Sequence, residues 1–180
     1  MDDKNIKNVE EFFSTQLERT NYWLSFAEAK NAGLLAINIA IIGILMEKGK
    51  ILEMGRVAVL LCLLASSIIC IVSFYPNMKS KEKKKKEQTS EAKNLVFYRD
   101  IAEFESEAKY TAKVLDDYFG INREDTDATN RDDVSALSVD LAAEVFINSK
   151  ITVRKYSTFR WAVILDIVAL AGLALLLVIA

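Results

Sequence analysis

The chain has 180 residues and a formal net charge of −2, with 25 acidic residues against 23 basic ones, which argues against a nucleic-acid-binding protein. It contains no histidine, so imidazole metal ligands and catalytic Ser/His or Cys/His pairs are excluded. Hydrophobic residues make up 52% of the chain and stand in blocks beside 27% charged residues, a pattern typical of membrane proteins.

Residues 1–30 are predicted to form an amphipathic helix, in the cytoplasm or at the membrane interface. Tyr22 and Trp23 stand where this helix would meet the interface, as in an aromatic belt. Small and apolar residues recur along it at three- and four-residue spacing: Ile6, Val9, Phe13, Leu17, Thr20, Leu24 and Ala27.

Residues 31–75 are predicted to form a transmembrane helical hairpin. The apolar run 31–46 is short for a span, which needs about 20 residues, so we extend the first span to about 24–46. The second span, 57–75, is long enough to cross and is ended by Pro76. The mixed-charge segment 47–56 would connect the two spans.

A run of six lysines in eight residues, Lys79–Lys86, follows the second span and predicts its cytoplasmic end. Lysine and arginine number four in the amino-terminal arm, three in the connection and sixteen from Lys79 to Arg160. We therefore expect a multi-pass membrane protein with a cytoplasmic amino terminus. The run would also attract anionic lipid, and ligand binding is the alternative role for it.

Residues 76–160 are predicted to form a helical cytoplasmic lobe. Within it, Ser106 can cap a helix that Gly120 ends, and 122–133 is a polar loop. From about Val134 a long helix continues into a third span, 161–180. Its predicted inner stripe is Leu137, Leu141, Val145, Asn148, Thr152, Lys155 and Phe159.

The predicted fold class is thus an all-α membrane protein, in which a transmembrane hairpin is joined by a third, C-terminal span continuous with a cytoplasmic helix. Polar residues inside its spans are informative because each is costly in hydrocarbon unless it faces protein or water. Asn31 and Asn38 share a face of the first span, and Asp166 lies in the third. They either join the helices by hydrogen bonds or line a wet path or self-association surface. Asp166 could also reach the headgroups.

Two sets of residues combine a cation with an aromatic ring, as a ligand with a base and a phosphate requires. One is Tyr98 with Arg99, and the other is Arg154, Lys155 and Tyr156. Interfacial anchoring explains the second set equally well. The sequence predicts no catalytic constellation, metal site or glycine-rich phosphate loop, so we expect a protein that is not an enzyme.

Three stretches carry a family resemblance in a fixed order: Phe26–Asn38, Asn94–Ile101 and Asp140–Tyr156. Together they resemble the transmembrane effectors of Pycsar antiphage defence, with Glu28 where the family tends to carry aspartate. The resemblance implies an effector of the bacterial inner membrane that senses a cyclic nucleotide from a partner cyclase through its cytoplasmic lobe. It further implies assembly into a homo-oligomer that disrupts the lipid bilayer and causes abortive infection, with no cofactor besides that regulatory nucleotide.

Two other functions fit the same residues. A constitutive oligomeric channel or small transporter subunit would use the polar residues of the spans to line a permanent path. A membrane scaffold would instead use the lobe to dock a soluble partner.

Overall fold

The computed structural model describes residues 3–47, 54–75, 93–121 and 134–179, which are almost entirely helical and contain no strand. The all-α prediction is therefore confirmed for these ranges. The predictions for residues 48–53, for Pro76, for the lysine run Lys79–Lys86 and for the loop 122–133 lie outside them. The helices are α1 (Asp3–Glu47), α2 (Met54–Phe74), α3 (Tyr98–Ile101), α4 (Glu107–Phe119) and α5 (Ala136–Ile179).

The chain divides into two compact units, which are described separately. The first, here called the lobe, comprises Met1–Ser25 and Lys79–Val153. The second, here called the bundle, comprises Phe26–Met78 and Arg154–Ala180. The long helices α1 and α5 each contribute residues to both units. The predicted division at residues 30, 75 and 160 concerns position in the membrane and stays a prediction.

The lobe has an apolar core to which α1, α4 and α5 each contribute. Val9 and Phe13 of α1 are fully buried, which confirms the centre of the stripe predicted for the amphipathic helix. Tyr110 and Val145 are equally buried on α4 and α5. The Tyr110 hydroxyl donates to the carbonyl oxygen of Leu95 at 3.2 Å, so this polar group is satisfied inside the core. Burial raises the pKa of Tyr110.

Side-chain amides of α1 add hydrogen bonds to distant parts of the lobe. Gln16 is 2% exposed, and its Nε2 donates to the carbonyl oxygen of Val96 at 2.6 Å. Asn21 accepts from Nδ2 of Asn148 on α5 at 2.9 Å. Gln16 was absent from the predicted stripe because a search for apolar residues at helical spacing does not select a polar amide.

The ends of α4 follow the prediction made from Ser106 and Gly120. The Ser106 hydroxyl accepts the backbone N–H of Lys109, which satisfies one of the free donors at the helix start. Gly120 has a φ of 66°, the left-handed conformation that a residue with a Cβ adopts only with strain. Both caps are therefore confirmed.

The first turn of α5 presents a different face from the predicted one. Leu137, placed at the head of the inner stripe, is 55% exposed, whereas Ser138 and Ala142 are fully buried. The cause is the helical repeat: the two four-residue steps from Leu137 to Val145 turn about 80° beyond two full turns, whereas Ser138 lies within about 20° of Val145. The Ser135 hydroxyl caps this end by accepting the N–H of Ser138 at 3.1 Å. The predicted stripe agrees with the buried face from Val145 onward.

The bundle differs from a water-soluble core, because it buries polar side chains beside an apolar cluster of Val59, Leu63 and Ala169 and has an apolar outer surface. Its buried positions include polar side chains and small residues, among them Asn38, Ser66, Ala162 and Asp166. Large apolar side chains point outward on all three helices, for example Ile39, Leu61, Ile68, Ile164, Ile167 and Leu170. The described residues contain three helices long and apolar enough to cross a membrane. An apolar surface around a polar interior is stable in lipid, so this is a multi-pass membrane protein.

Close contacts show that α2 and α5 run antiparallel in the bundle. A Cβ on Gly55 would lie 2.6 Å from Leu176, and a Cβ on Gly172 would lie 3.2 Å from Val59. Moving forward along α2 from Gly55 to Val59 therefore moves the contact backward along α5, from Leu176 to Gly172. Small residues allow such close approach between membrane helices, where packing rather than water exclusion drives association.

We expect Gly172→Val to destabilise the bundle by about 1–3 kcal/mol, because the new side chain would overlap Val59, whose branched side chain has little rotamer freedom. Thermal unfolding of the detergent-solubilised protein would measure this loss. Ala174→Val is the control, since Ala174 is exposed on the same helix. Equal melting temperatures for the two variants would contradict the close contact.

Candidate functional site

The centre of the bundle contains a polar layer to which each span contributes one side chain: Asn38 from α1, Ser66 from α2 and Asp166 from α5. Their exposed fractions are 1%, 0% and 7%. Asn38 Nδ2 donates to Ser66 Oγ at 3.0 Å, and Ser66 Oγ donates to the carbonyl oxygen of Ala162 at 3.2 Å. One continuous chain of hydrogen bonds therefore joins the three spans.

The Asp166 carboxyl is the unsatisfied member of the polar layer. Both of its oxygens are buried and accept no hydrogen bond from any residue that the structure describes. Ser66 and Asn38 lie beside the carboxyl, but the single hydroxyl proton of Ser66 and one amide proton of Asn38 are already donated elsewhere. An unpaired carboxylate in this position would carry a large desolvation cost.

Helical periodicity explains why these residues face inward. Ala27, Asn31 and Asn38 lie on one face of α1 and are buried, which agrees with the face assigned from the sequence. Asn31 lies two turns before Asn38 and donates to the carbonyl oxygen of Ala27 in its own helix. The structure thus brings Asn38 and Asp166 together with Ser66, while the hydrogen bond of Asn31 stays within α1.

A second polar group in the bundle, here called the lysine junction, consists of Glu28, Ser73 and Lys155. The Lys155 ammonium lies 2.9 Å from the Glu28 carboxylate and donates to the Ser73 carbonyl oxygen at 3.1 Å. Ser73 belongs to the last turn of α2, where free carbonyl groups and the helix dipole favour a cation. Lys155 was predicted as a ligand-binding residue, and its ammonium is engaged by these two partners.

Tyr156, also in the predicted ligand set, lies near a lysine that the sequence did not single out. The Lys30 ammonium is 5.4 Å from the centre of the Tyr156 ring, 4.5 Å from that of Phe26 and 5.7 Å from that of Phe159. Cation–π attraction therefore adds a contact between α1 and α5. Arg154, in contrast, is exposed.

The other predicted ligand residues, Tyr98 and Arg99, belong to the lobe, whereas Arg154, Lys155 and Tyr156 belong to the bundle. Tyr98 packs in an aromatic cluster, with its ring centre 5.7 Å from that of Trp23 and 4.7 Å from that of Phe97. Burial raises the pKa of Tyr98, and the charge of Arg99 partly opposes that shift. Arg99 is exposed and open to a ligand.

The lobe also carries an open groove of about 450 Å³ that combines cationic, anionic, amide and aromatic groups. Its volume falls in the range of small-molecule sites. Periodicity could have indicated it, because several lining residues lie at three- and four-residue spacing along α1. The lining residues are Asn8, Glu11, Phe12, Thr15, Gln16, Arg19 and Phe119.

Comparison with known proteins agrees with the resemblance seen in the sequence. Residues 12–180 match the model of the Pycsar effector protein domain. The chain belongs to the Pycsar effector family. No curated protein and no solved structure gives a significant match.

Membership of the Pycsar effector family makes this protein an effector of antiphage defence in a lipid bilayer. The polar layer and the lysine junction are then features of a defence effector's membrane bundle. Sequence reasoning found Asn38 and Asp166 because polar groups stand out in an apolar run. It missed Lys30 because two of the three aromatic rings near that ammonium, Tyr156 and Phe159, come from residues distant in sequence.

We expect Lys155→Met to destabilise the bundle of this Pycsar effector by about 1–2 kcal/mol, because methionine keeps much of the side chain but loses both charged contacts. Thermal unfolding in detergent would measure the loss, with Arg154→Met as the exposed control. Glu28→Gln should cost less in the Lys155→Met background than alone. Additive losses would contradict the ion pair.

Proposed function

We propose that this Pycsar effector senses a cyclic nucleotide, made by a partner cyclase, through its lobe and then disrupts the inner membrane to cause abortive infection. Family membership over residues 12–180 is the observation that carries the proposal. The proposed role is not enzymatic. The orientation proposed with it, amino terminus in the cytoplasm, rests on the lysine-rich run Lys79–Lys86.

The proposed switch is an equilibrium between a closed and an open arrangement of the spans. A ligand shifts such an equilibrium only by its difference in affinity for the two states. Moving it from about 1:99 to 99:1 needs about a 10⁴-fold difference, or ~5.5 kcal/mol. The polar layer supports this scheme, because opening would bring water to side chains that are buried in the closed bundle.

Two places in the lobe could bind the nucleotide. The groove offers the Arg19 guanidinium for a phosphate and the rings of Phe12 and Phe119 for a base. Arg99 with Tyr98 offers the same chemistry on a more open surface. Lys155 is less available, because Glu28 and Ser73 already engage its ammonium.

Assembly into a homo-oligomer is part of the proposal, since three close-packed helices leave little room for a wide aqueous path. Small side chains and glycines on one exposed face of α1 would let copies approach closely. At Gly33 and Gly43 an added Cβ would meet nothing within 4 Å. The residues of this face are Ala29, Gly33, Ala36, Ala40 and Gly43.

Leakage of a dye from liposomes tests the proposed function. We expect purified full-length protein to release the dye only after a cyclic nucleotide is added, because the ligand stabilises the open bundle. Four cyclic mononucleotides would be compared, with the linear monophosphates as controls. Arg19→Gln and Arg99→Gln would separate the two binding places, since only the variant in the true site should need more nucleotide.

Each rival function gives a different result in the same assay. Leakage without any nucleotide would favour a constitutive channel or transporter subunit. The absence of leakage with all nucleotides, in liposomes that contain folded protein, would favour a membrane scaffold.

For the homo-oligomer, we expect Gly33→Leu to lower both cross-linking between copies and nucleotide-dependent leakage, because the larger side chain keeps the helices apart. Ala58→Leu, which enlarges an exposed residue of α2, is the control. Cross-linking in nanodiscs followed by gel electrophoresis measures the assembly. Unchanged cross-linking of Gly33→Leu would remove this face of α1 from the interface.

A further inference from the structure

The Asp166 carboxyl is buried beside two neutral polar side chains and forms no ion pair with a described residue. It is 7% exposed, and neither oxygen has a hydrogen-bond partner among the described residues. The lysine junction does not neutralise it, because Lys155 stands eleven residues earlier on α5, about 16 Å along the helix axis. The ammonium of Lys155 is also paired with Glu28.

We propose that the polar layer is a binding site for a monovalent cation, either a proton or an alkali ion, and that the closed bundle requires this cation. The carboxylate of Asp166 would supply the negative charge, and the Ser66 hydroxyl and Asn38 amide lie beside it as neutral dipoles. Hard oxygen groups of this kind suit a proton or Na⁺ better than a soft metal ion. A bound cation removes the free-energy cost of burying an ionised carboxylate in hydrocarbon.

The surroundings of the site decide how it responds to pH. From α1 it is faced by the neutral amide of Asn38, and from α2 by Ser66 and by Cys70, a titratable thiol that interacts electrostatically with Asp166. A thiol is neutral at low and neutral pH, so it provides no compensating cation. Asp166 is therefore the group whose charge changes when the cation leaves.

Loss of the cation would favour opening. A bare carboxylate is more stable in water than in hydrocarbon, so an empty site stabilises any arrangement in which water reaches Asp166. If the cation is a proton, the closed bundle loses stability as the pH rises and the proton leaves. If it is Na⁺ or K⁺, the closed bundle gains stability as the concentration of that ion rises. Neither effect depends on a nucleotide.

Infrared spectroscopy and thermal unfolding of the full-length protein in nanodiscs test the site. With a proton as the ligand, wild-type protein at neutral pH has a carbonyl band of a protonated carboxylic acid, and Asp166→Asn lacks it. The melting temperature of the wild type then falls as the pH rises and the proton leaves, whereas that of Asp166→Asn, whose side-chain amide is neutral at every pH, falls less. Asp140→Asn, at an exposed position of α5, is the control and keeps the wild-type band.

With an alkali ion as the ligand, the band is absent at neutral pH, and NaCl or KCl raises the melting temperature of the wild type more than that of Asp166→Asn. Choline chloride controls for ionic strength. The proposal is overturned if the band is absent and both proteins respond equally to pH, Na⁺ and K⁺. If Asp166→Asn fails to fold, Ser66→Ala replaces it, and the proposal then requires that the melting temperature of Ser66→Ala respond less than that of the wild type to pH or to the alkali ion. Leakage is not measured here, so failure of this proposal and failure of the proposed function remain distinguishable.

Discussion

A polar side chain inside a membrane span needs a hydrogen-bond partner, and at one level of the bundle that partner lies on another helix. The chain of hydrogen bonds from Asn38 to Ser66 and on to the Ala162 carbonyl links all three spans. In lipid such a bond contributes only about 0.6 kcal/mol on average, because the separated helices also find partners. Its greater effect is on specificity, since sliding any one helix would bury Asn38 or Ser66 without a partner.

The contacts on either side of the polar layer agree with the register that it sets. Gly172 meets Val59 on one side, and Lys155 meets the Ser73 carbonyl on the other. Both pairs belong to the same antiparallel arrangement of α2 and α5 as the contact of Ser66 with Ala162. Steric fit, hydrogen bonding and ion pairing thus select one packing, and the apolar side chains left outside it are those suited to lipid.

The sequence predicted the parts of this fold that depend on local chemistry. The lengths of the apolar runs and the charges beside them predicted the spans, and Ser106 and Gly120 predicted the two ends of α4. Asp166 was recognised as a candidate because it is a carboxylate within an apolar run. The predicted stripe failed at Leu137 because two successive four-residue steps to Val145 drift by about 80° around the helix, which leaves Leu137 outside the buried face. Lys155 was predicted to bind a ligand from its position between Arg154 and Tyr156. Its ion pair with Glu28 could not be predicted, because the two residues are far apart in the chain.

The magnitudes limit how tightly a switchable bundle can be held. A mononucleotide bound with micromolar affinity releases about 8 kcal/mol, and only the part that distinguishes two states can move the equilibrium. A closed bundle held by many strong ion pairs would exceed that amount and could not be opened by one ligand. In the proposed switch, the contacts that distinguish the two states must together cost no more than a nucleotide can supply. The weak hydrogen bonds of the polar layer and the ion pair of Lys155 with the half-exposed Glu28 are individually weak contacts of this kind. With the proposed cation site, loss of the cation lowers the cost further, because the bare Asp166 carboxylate gains hydration when the helices part.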